Sequence, residues 1–418
     1  MLRRSKQCPL SLGIDLGLNV NPWRLVFQST SFLPLSTIIN DLKHHMGRCR
    51  ALCLRGLTQP AFRELFTHCT SQLEHIVCDS SRVHLLLNDT VLLPANSLRR
   101  LELKNCILDW DAHFLNHLTY LKLDEIPNNN KLSRIKFIEF LLRMRALEEL
   151  HVEGSFLRDV NEDGDLSATE LKTELKQLKY LCFICPIQEI TYFLHAVTLP
   201  RFCKIRLGRL MDVDGTAPIH HLLRWVTTHF SPPYELAGEN GEVLYFRSFC
   251  INRHGTELTL HGFYDVLSHA TMHTMCYNET AMFELSLQWD DNVDLILGEL
   301  LPLFPLSRII CFGLYGDDDS ARFILSSQIW SALRSVTTLK SVYIDAFYLD
   351  FFTSLVLDSF PALSSVALPR ASSDDLQHIL NFLRWRTAPL QELLLPSGCI
   401  VPPHIPPRAV SHIGYLHK

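Results

Sequence analysis

A short apolar phrase recurs along this chain of 418 residues, and its spacing limits the possible folds more than any other feature. The clearest copy, LRRLELKNC, begins at Leu98 and has leucine at its first, fourth and sixth positions and cysteine at its ninth. Looser copies begin at Cys49, Leu73, Leu118, Leu147, Leu178, Phe202, Gly255, Met282, Leu306, Leu339, Leu363 and Leu390. A fold is therefore expected in which one small unit is repeated.

Helical patterns lie between the copies of the phrase. Two groups share one helix face at i, i+3, i+4 and i+7 spacing: Phe137, Phe140, Leu141 and Met144, and Leu376, Ile379, Leu380 and Leu383. Most copies start about 20 to 29 residues apart, which is the length of one leucine-rich repeat. The sequence thus predicts an α/β leucine-rich repeat solenoid, with a curved parallel sheet and outer helices.

The step from Phe202 to Gly255 is about twice as long as the others. Within it, Asn240-Gly241 lies between two apolar runs, which is the strongest short signal for a β-hairpin. We therefore expect an antiparallel hairpin insertion near 234–255. The predicted organisation is an N-terminal cap or first repeat unit at 1–47 with a short strand over 8–14, a repeat array at 48–400 with an irregular insertion at 228–255, and a C-terminal tail at 401–418.

Composition narrows the class of function. With 47% hydrophobic and 20% charged residues the chain has ample apolar surface for an ordered fold, and its net charge of −5 argues against binding nucleic acid. Thirteen cysteines are too few for a disulfide scaffold, which favours a reducing compartment. Pro9 and Asp15 interrupt any signal-peptide core, and no apolar run is long enough to span a membrane. An intracellular protein, cytoplasmic or nuclear, is expected.

The candidate site is the outward face of the repeated strands. Because side chains alternate across a strand, Leu101 and Leu103 are predicted to point inward while their neighbours line the concave face. The predicted partner-binding residues are Arg100, Glu102, Lys104, Tyr120, Lys122, Glu149, His151, Tyr180, Lys204, Arg206, Arg308 and Tyr343. Their cationic and aromatic members suit a protein interface, although any one of them could equally be a solvated outward position.

One segment matches a metal-binding pattern. Asp159 to Glu170 has oxygen-bearing side chains at positions 1, 3, 5, 9 and 12 and glycine at position 6, as in an EF-hand calcium loop. A repeat strand over 147–152 occupies the place of the preceding helix, and a second such loop is not found in the sequence. An acidic surface loop that lengthens one repeat is therefore the favoured interpretation, and calcium binding is the alternative.

Other candidate chemistry favours packing over catalysis. Cys182 and Cys185 have redox or zinc spacing, but on a predicted strand they point to opposite faces. The sequence contains no phosphate-binding glycine loop, nucleophile elbow or kinase signature. No catalytic residue, metal ligand or cofactor is assigned, and the expected function is binding without enzymatic activity.

The opening RRSKQCPLSLGIDL, the helix HHLLRWVTTHF and the segment YFRSFCINRHGTELTLHGFYDVLSH together resemble the F-box/leucine-rich-repeat proteins of mushroom-forming fungi, over nearly the whole chain. In that family an F-box, a small helical module that docks onto a cullin-type ubiquitin ligase adaptor, precedes a segment similar to residues 4–10. The resemblance implies substrate recognition for a cullin-RING ubiquitin ligase. Because this chain begins where the F-box should end, the adaptor is an expected partner only if an F-box is encoded upstream of Met1.

Two alternatives to the ligase interpretation stay open. The chain could be a repeat scaffold with no link to a ligase, or a calcium-regulated binder acting through 159–170. In each case the expected partner is a protein that binds the concave face, with no role for nucleic acid or membrane.

Overall fold

The computed structural model describes residues 9–15, 40, 42, 44–66, 72–80, 85–89, 97–158, 173–210, 217–230, 245–254, 257–269, 271–272, 281–288, 301–304, 306–316, 333, 336–344, 360–372, 376, 379, 383, 388–401 and 410–416. The chain divides into two compact units, Met1–Cys203 (unit 1) and Lys204–Lys418 (unit 2), which are described separately. Within the described residues no helix is long and apolar enough to cross a lipid bilayer.

Unit 1 contains a parallel sheet of seven strands that follow one another in chain order. The strands are β1 (Leu10–Asp15), β2 (Cys49–Arg55), β3 (His75–Asp79), β5 (Arg100–Lys104), β7 (Tyr120–Asp124), β8 (Glu149–Glu153) and β10 (Tyr180–Ile184). Four two-residue strands form two small sheets: β4 (Leu86–Leu87) with β6 (Ile107–Leu108), and β9 (Thr173–Glu174) with β11 (Val197–Thr198).

The recurring phrase explains the core of this unit. Leu98, Leu101 and Leu103 are 0%, 0% and 4% exposed, so the prediction that Leu101 and Leu103 point inward is confirmed. The equivalent positions of the neighbouring copies are buried in the same way. Burying one such side chain stabilises the fold by about 1.5 to 3 kcal/mol, so the repetition of the phrase repeats the same driving force on every strand.

Helices pack behind the unit 1 sheet. They are α1 (Gln59–Phe66), α2 (Arg134–Arg143) and α3 (Ile187–Ala196), with 3-10 turns at His113–His117 and Asn128–Asn130. The helix predicted from Phe137, Phe140 and Leu141 is α2, and its Phe137 ring lies 4.5 Å from that of Phe156, between ring centroids. Aromatic packing of this kind fixes the helices to the back of the sheet.

Unit 2 contains a mixed sheet of nine strands in the order β12, β15, β14, β13, β16, β17, β18, β19, β20. The strands are β12 (Lys204–Leu210), β13 (Ser248–His254), β14 (Glu257–Phe263), β15 (Phe283–Gln288), β16 (Cys311–Gly316), β17 (Ser341–Ile344), β18 (Ser365–Ala367), β19 (Leu390–Pro396) and β20 (Val410–Leu416). Among the described residues of unit 2, the other elements are α4 (Ala217–Phe230) and 3-10 turns at Leu301–Leu303 and Leu306–Arg308.

Unit 2 contains an antiparallel hairpin. β13 and β14 pair His254 with Glu257, so the chain reverses between these two residues. The hairpin signal at Asn240-Gly241 stays a prediction. Asn240 and Gly241 lie outside the described residues. The copy of the phrase that begins at Gly255 forms the second strand of this hairpin, antiparallel to both neighbours. Period-two spacing carries no information about strand direction, which is why the copy resembled a parallel repeat.

Two further expectations are corrected in unit 2. The phrase predicted at Leu306 forms a 3-10 turn, and the strand begins five residues later at Cys311, because the unbroken apolar run from Ile309 fits more than one register. The C-terminal segment, predicted as a tail, contains β20, which pairs in parallel with β19.

Candidate functional site

In-register pairing arranges the outward side chains of unit 1 in three rows, which together we call the front face. The first row is His75, Arg100, Tyr120, Glu149 and Tyr180; the second is Val77, Glu102, Lys122, His151 and Cys182; the third is Asp79, Lys104, Asp124 and Glu153. Neighbours in a row are on adjacent strands about 4.8 Å apart, close enough for direct contact. Eight of the twelve predicted residues lie here: Arg100, Glu102, Lys104, Tyr120, Lys122, Glu149, His151 and Tyr180.

Four of these side chains form a continuous stack, which we call the ring ladder. The guanidinium carbon of Arg100 lies 4.2 Å from the centre of the Tyr120 ring. The His151 ring lies 5.0 Å from Tyr120 and 4.9 Å from Tyr180, between centroids. The ladder therefore crosses four strands, and each member restricts the rotamers of the next.

Burial shifts the pKa values of Tyr120 and His151 in the ring ladder. Burial, and next the nearby Glu102 carboxylate, raises the pKa of Tyr120 to about 12. Burial also lowers the pKa of His151, against the opposing effect of Glu149, whose Oε2 lies 3.8 Å from His151 Nε2. His151 is consequently neutral at pH 7, and the ladder presents one fixed cation, on Arg100, beside three uncharged rings.

Polar side-chain contacts orient other members of the front face. His75 Nε2 lies 3.3 Å from Glu102 Oε1, and this hydrogen bond is the main cause that lowers the pKa of Glu102. Lys104 Nζ donates to Asp124 Oδ2 at 3.0 Å, which raises the pKa of Lys104. Surface pairs of this kind contribute little stability, about 0 to 1 kcal/mol each, so their main effect is to orient the charges of the face.

The residues that follow the strands form a second feature, which the sequence did not predict. Asn105 and Glu125 adopt positive φ angles of 52° and 53°, and the amide of each donates to the last carbonyl of the next strand, at 2.8 and 3.0 Å. A shallow cleft of about 600 Å³ opens beside these turns. It is lined by Asn105, Glu125, Ile126, Pro127, Asn128, Asn129, Lys131, Gly154 and Ser155.

The four remaining predicted residues lie in unit 2. Lys204 and Arg206 are half-buried on β12, and Arg206 Nε lies 3.0 Å from Glu284 Oε1. Arg308 is exposed but lies in the 3-10 turn before β16, with its guanidinium carbon 4.0 Å from the centre of the Tyr245 ring. Arg308 was therefore wrongly placed on a strand.

Tyr343 corrects the prediction more strongly, because it is only 1% exposed. It points to the predicted face of β17, but that face is covered by a segment of the chain itself, the described residues of 264–272, which we call the front strap. Leu267 and Met272 of the strap join Tyr343 and Tyr315 in one buried apolar cluster. Tyr343 has no surface to offer a partner in this structure.

The described residues contain no group of three or more His, Cys, Asp or Glu side chains placed to hold a metal ion. Cys182 and Cys185 are both buried and reduced, and burial holds the pKa of the Cys185 thiol well above its ordinary value. The calcium-loop candidate, Asp159 to Glu170, lies outside the residues that the structure describes.

Similarity to known proteins is found in structure and not in sequence. No protein-family model matches the chain, and no curated protein matches its sequence. Among solved structures, the chain is similar to the leucine-rich repeat-containing protein LegL7 from Legionella pneumophila, at 12% identity and a TM-score of 0.29, over 84% of this chain and 94% of that one.

Proposed function

We propose that the chain is a leucine-rich repeat solenoid whose front face in unit 1 binds a protein partner, and that it has no catalytic role. The observation that carries the proposal is the ring ladder of Arg100, Tyr120, His151 and Tyr180. Arginine and tyrosine dominate the binding energy of protein interfaces because they bury large areas and still form polar contacts.

Fixed side chains on this face support the proposal. The free energy of binding becomes less favourable by roughly 0.5 to 1.5 kcal/mol for each flexible side chain that is immobilised in the complex. Tyr120 is already 9% exposed and packed between Arg100 and His151, so little of that cost remains for it. The backbone beneath is equally constrained, since β5, β7 and β8 each pair with two neighbouring strands.

Affinity capture from a lysate of the source organism tests this function. Wild type is compared with the double variant Arg100→Ala/Tyr180→Ala and with the matched control Lys136→Ala, which changes a residue of α2 behind the sheet. We expect one set of proteins on wild type and Lys136→Ala that the double variant loses. Identical capture by all three, or none by wild type, would contradict the proposal.

The finer identity that we propose for this binding is substrate recognition for a cullin-RING ubiquitin ligase, as the family resemblance implies. The genomic sequence upstream of Met1 tests it. An F-box encoded in frame just upstream is the expected result, and a stop codon close to Met1 with no F-box in frame would count against it. The binding proposal survives that second outcome as a scaffold without a ligase link.

We also propose that the protein works in a reducing compartment, the cytoplasm or nucleus. All ten cysteines among the described residues are in the reduced thiol form. Burial raises the pKa of several, to about 11 for Cys49 and about 12 for Cys106 and Cys203, which keeps them as unreactive thiols that pack like small apolar side chains.

A further inference from the structure

The front strap is fastened to the outward face of the unit 2 sheet by both polar and apolar contacts. Ser248 of β13 donates its hydroxyl to the carbonyl of Asp265 at 2.7 Å and accepts from the amide of Leu267 at 2.9 Å. The thiol of Cys311 donates to the carbonyl of Leu267 at 3.3 Å. Met272 is fully buried over Gly313 of β16, where only a glycine leaves room for it.

A single histidine connects the strap to three more strands. His269 Nε2 lies 2.7 Å from Ser365 Oγ of β18 and 3.0 Å from Ser341 Oγ of β17, and Ser365 Oγ lies 2.8 Å from Glu392 Oε2 of β19. Ser365 donates its one hydroxyl proton to Glu392, so it must accept from His269. The imidazole therefore carries its proton on Nε2.

This arrangement leaves Nδ1 of His269 as a bare nitrogen. Nδ1 is buried and has no hydrogen-bond partner in the described part of the chain, and His269 is 9% exposed. Protonation would add a buried N–H at Nδ1 that has no acceptor among the described residues. Leaving a buried donor without an acceptor is unfavourable by about 1 to 3 kcal/mol, and by more when the group is charged. Burial accordingly lowers the pKa of His269, and the Glu392 carboxylate opposes that effect only in part.

The titratable groups of the elements packed around His269, within the described residues, are Glu392 on β19, Tyr343 on β17, Cys311 and Tyr315 on β16, and Tyr264 and Asp265 in the strap. Only Glu392 is a carboxylate positioned to favour an imidazolium through Ser365, and it already accepts the Ser365 proton. Cys311 donates to the strap backbone and stays a neutral thiol, because burial raises its pKa.

We propose that the front strap is a proton-sensitive latch: protonation of His269 releases residues 264–272 from the sheet and exposes the apolar face formed by Tyr315, Tyr343 and Ala367. At neutral pH the uncharged imidazole holds the strap closed through Ser341 and Ser365. The latch does not depend on partner binding by unit 1. Its consequence is that acidic pH exposes an apolar surface on unit 2.

The direction of the pH effect follows from the two states. In the released strap His269 regains an ordinary pKa of about 6.5, whereas in the closed state the pKa is lower. The stability of the closed strap is therefore complete above about pH 6.5 and is lost as pH falls toward the closed-state pKa, by up to tenfold in the opening equilibrium per pH unit.

Hydrogen exchange with mass spectrometry on the whole chain tests the latch. Protection factors, corrected for the intrinsic pH dependence of exchange, are compared at pH 7.5 and 5.5 for peptides covering 264–272 and, as an internal reference, β7 of unit 1. We expect strap protection to fall at pH 5.5, by at most about tenfold, while β7 is unchanged. Equal strap protection at both pH values, or an equal fall in β7, would overturn the proposal.

Two variants assign the effect to one residue. His269→Gln retains a donor at the position of Nε2 but cannot titrate, so its strap protection should be the same at both pH values. His261→Gln removes a buried histidine of β14 and should keep the wild-type fall in strap protection. If the fall persists in His269→Gln or disappears in His261→Gln, His269 is not the latch. The wild-type comparison alone still decides the proposal if either variant does not fold.

Discussion

Glu189, near the start of α3, accepts a hydrogen bond from the hydroxyl of Ser155 with 2.6 Å between Oε1 and Oγ, although only 7% of Glu189 is exposed. Its other oxygen accepts from the backbone amides of Phe156 and Leu157, at 2.9 and 3.2 Å. Lys131 Nζ donates to the same Ser155 hydroxyl at 2.9 Å. A helix behind the sheet thus fixes the turn that follows β8, at the edge of the front face.

Replacing this carboxylate should destabilise unit 1. Glu189→Ala leaves the buried amides of Phe156 and Leu157 without their acceptor, at about 1 to 3 kcal/mol each, so we expect the free energy of unfolding to fall by roughly 2 to 6 kcal/mol. Glu189→Gln keeps one acceptor oxygen and should lose clearly less. Urea-induced unfolding measures both, and a Glu189→Ala protein as stable as wild type would show that the turn does not depend on this side chain.

The inward leucines give a second test. Leu101→Ala should lower the free energy of unfolding by roughly 2 to 5 kcal/mol, because Leu101 is completely buried and the neighbouring residues cannot close the cavity. Lys122→Ala, on the opposite face of the next strand, should change it by less than about 0.5 kcal/mol. Similar losses of unfolding free energy in the two variants would mean that Leu101 and Lys122 have been assigned to the wrong faces of their strands.

A substitution at Gly313 tests how the front strap packs against the sheet. A Cβ at this position would lie 2.7 Å from a Tyr315 ring carbon and 2.9 Å from the Met272 methyl carbon, closer than such atoms approach. Gly313→Ala should therefore destabilise unit 2 by about 1 to 3 kcal/mol, as overpacking does. Gly13→Ala is the matched control, since its Cβ would meet nothing within 4 Å. A thermal unfolding midpoint unchanged in Gly313→Ala would contradict the packing.

His261 predicts a pH dependence of stability. Burial, and next the Arg206 guanidinium, lowers its pKa to about 4. The folded state thus holds the neutral ring, so the stability that His261 contributes is complete above about pH 6.5 and is lost between about pH 6.5 and 4, at about 1.4 kcal/mol per pH unit. NMR titration of the His261 ring protons measures the pKa directly. A midpoint near 6.5 would show that the ring is hydrated.

The unit 1 sheet could be predicted because its signal is local. Leucines at fixed positions specify which face of β5 or β7 is buried, and copies of similar length place those strands side by side in the same register. The charged side chains of Glu102 and Lys122 therefore lie on the predicted face. The ring ladder was not foreseeable as a contact, because it depends on how close Tyr120 and His151 come in space.

Prediction from sequence failed where the direction of a strand or the burial of a side chain depends on residues distant in the chain. The direction of β14 is set by pairing with β13 and β15, and alternation along the strand is the same in either direction. Tyr343 was placed on the correct face of β17, but its burial depends on Leu267 and Met272, more than 70 residues earlier in the chain. The sequence does not indicate which face of the sheet is covered by the apolar residues of a segment between strands.

Photo-crosslinking tests the central claim, partner binding on the front face of unit 1, most directly. A photoreactive phenylalanine analogue replaces Lys122, in the middle row of the face, or in a second protein Lys136 on α2 behind the sheet. Both proteins are irradiated in a lysate of the source organism. We predict a discrete covalent adduct with another protein from position 122 and none from position 136. Adducts from neither position, or the same adducts from both, would contradict the account.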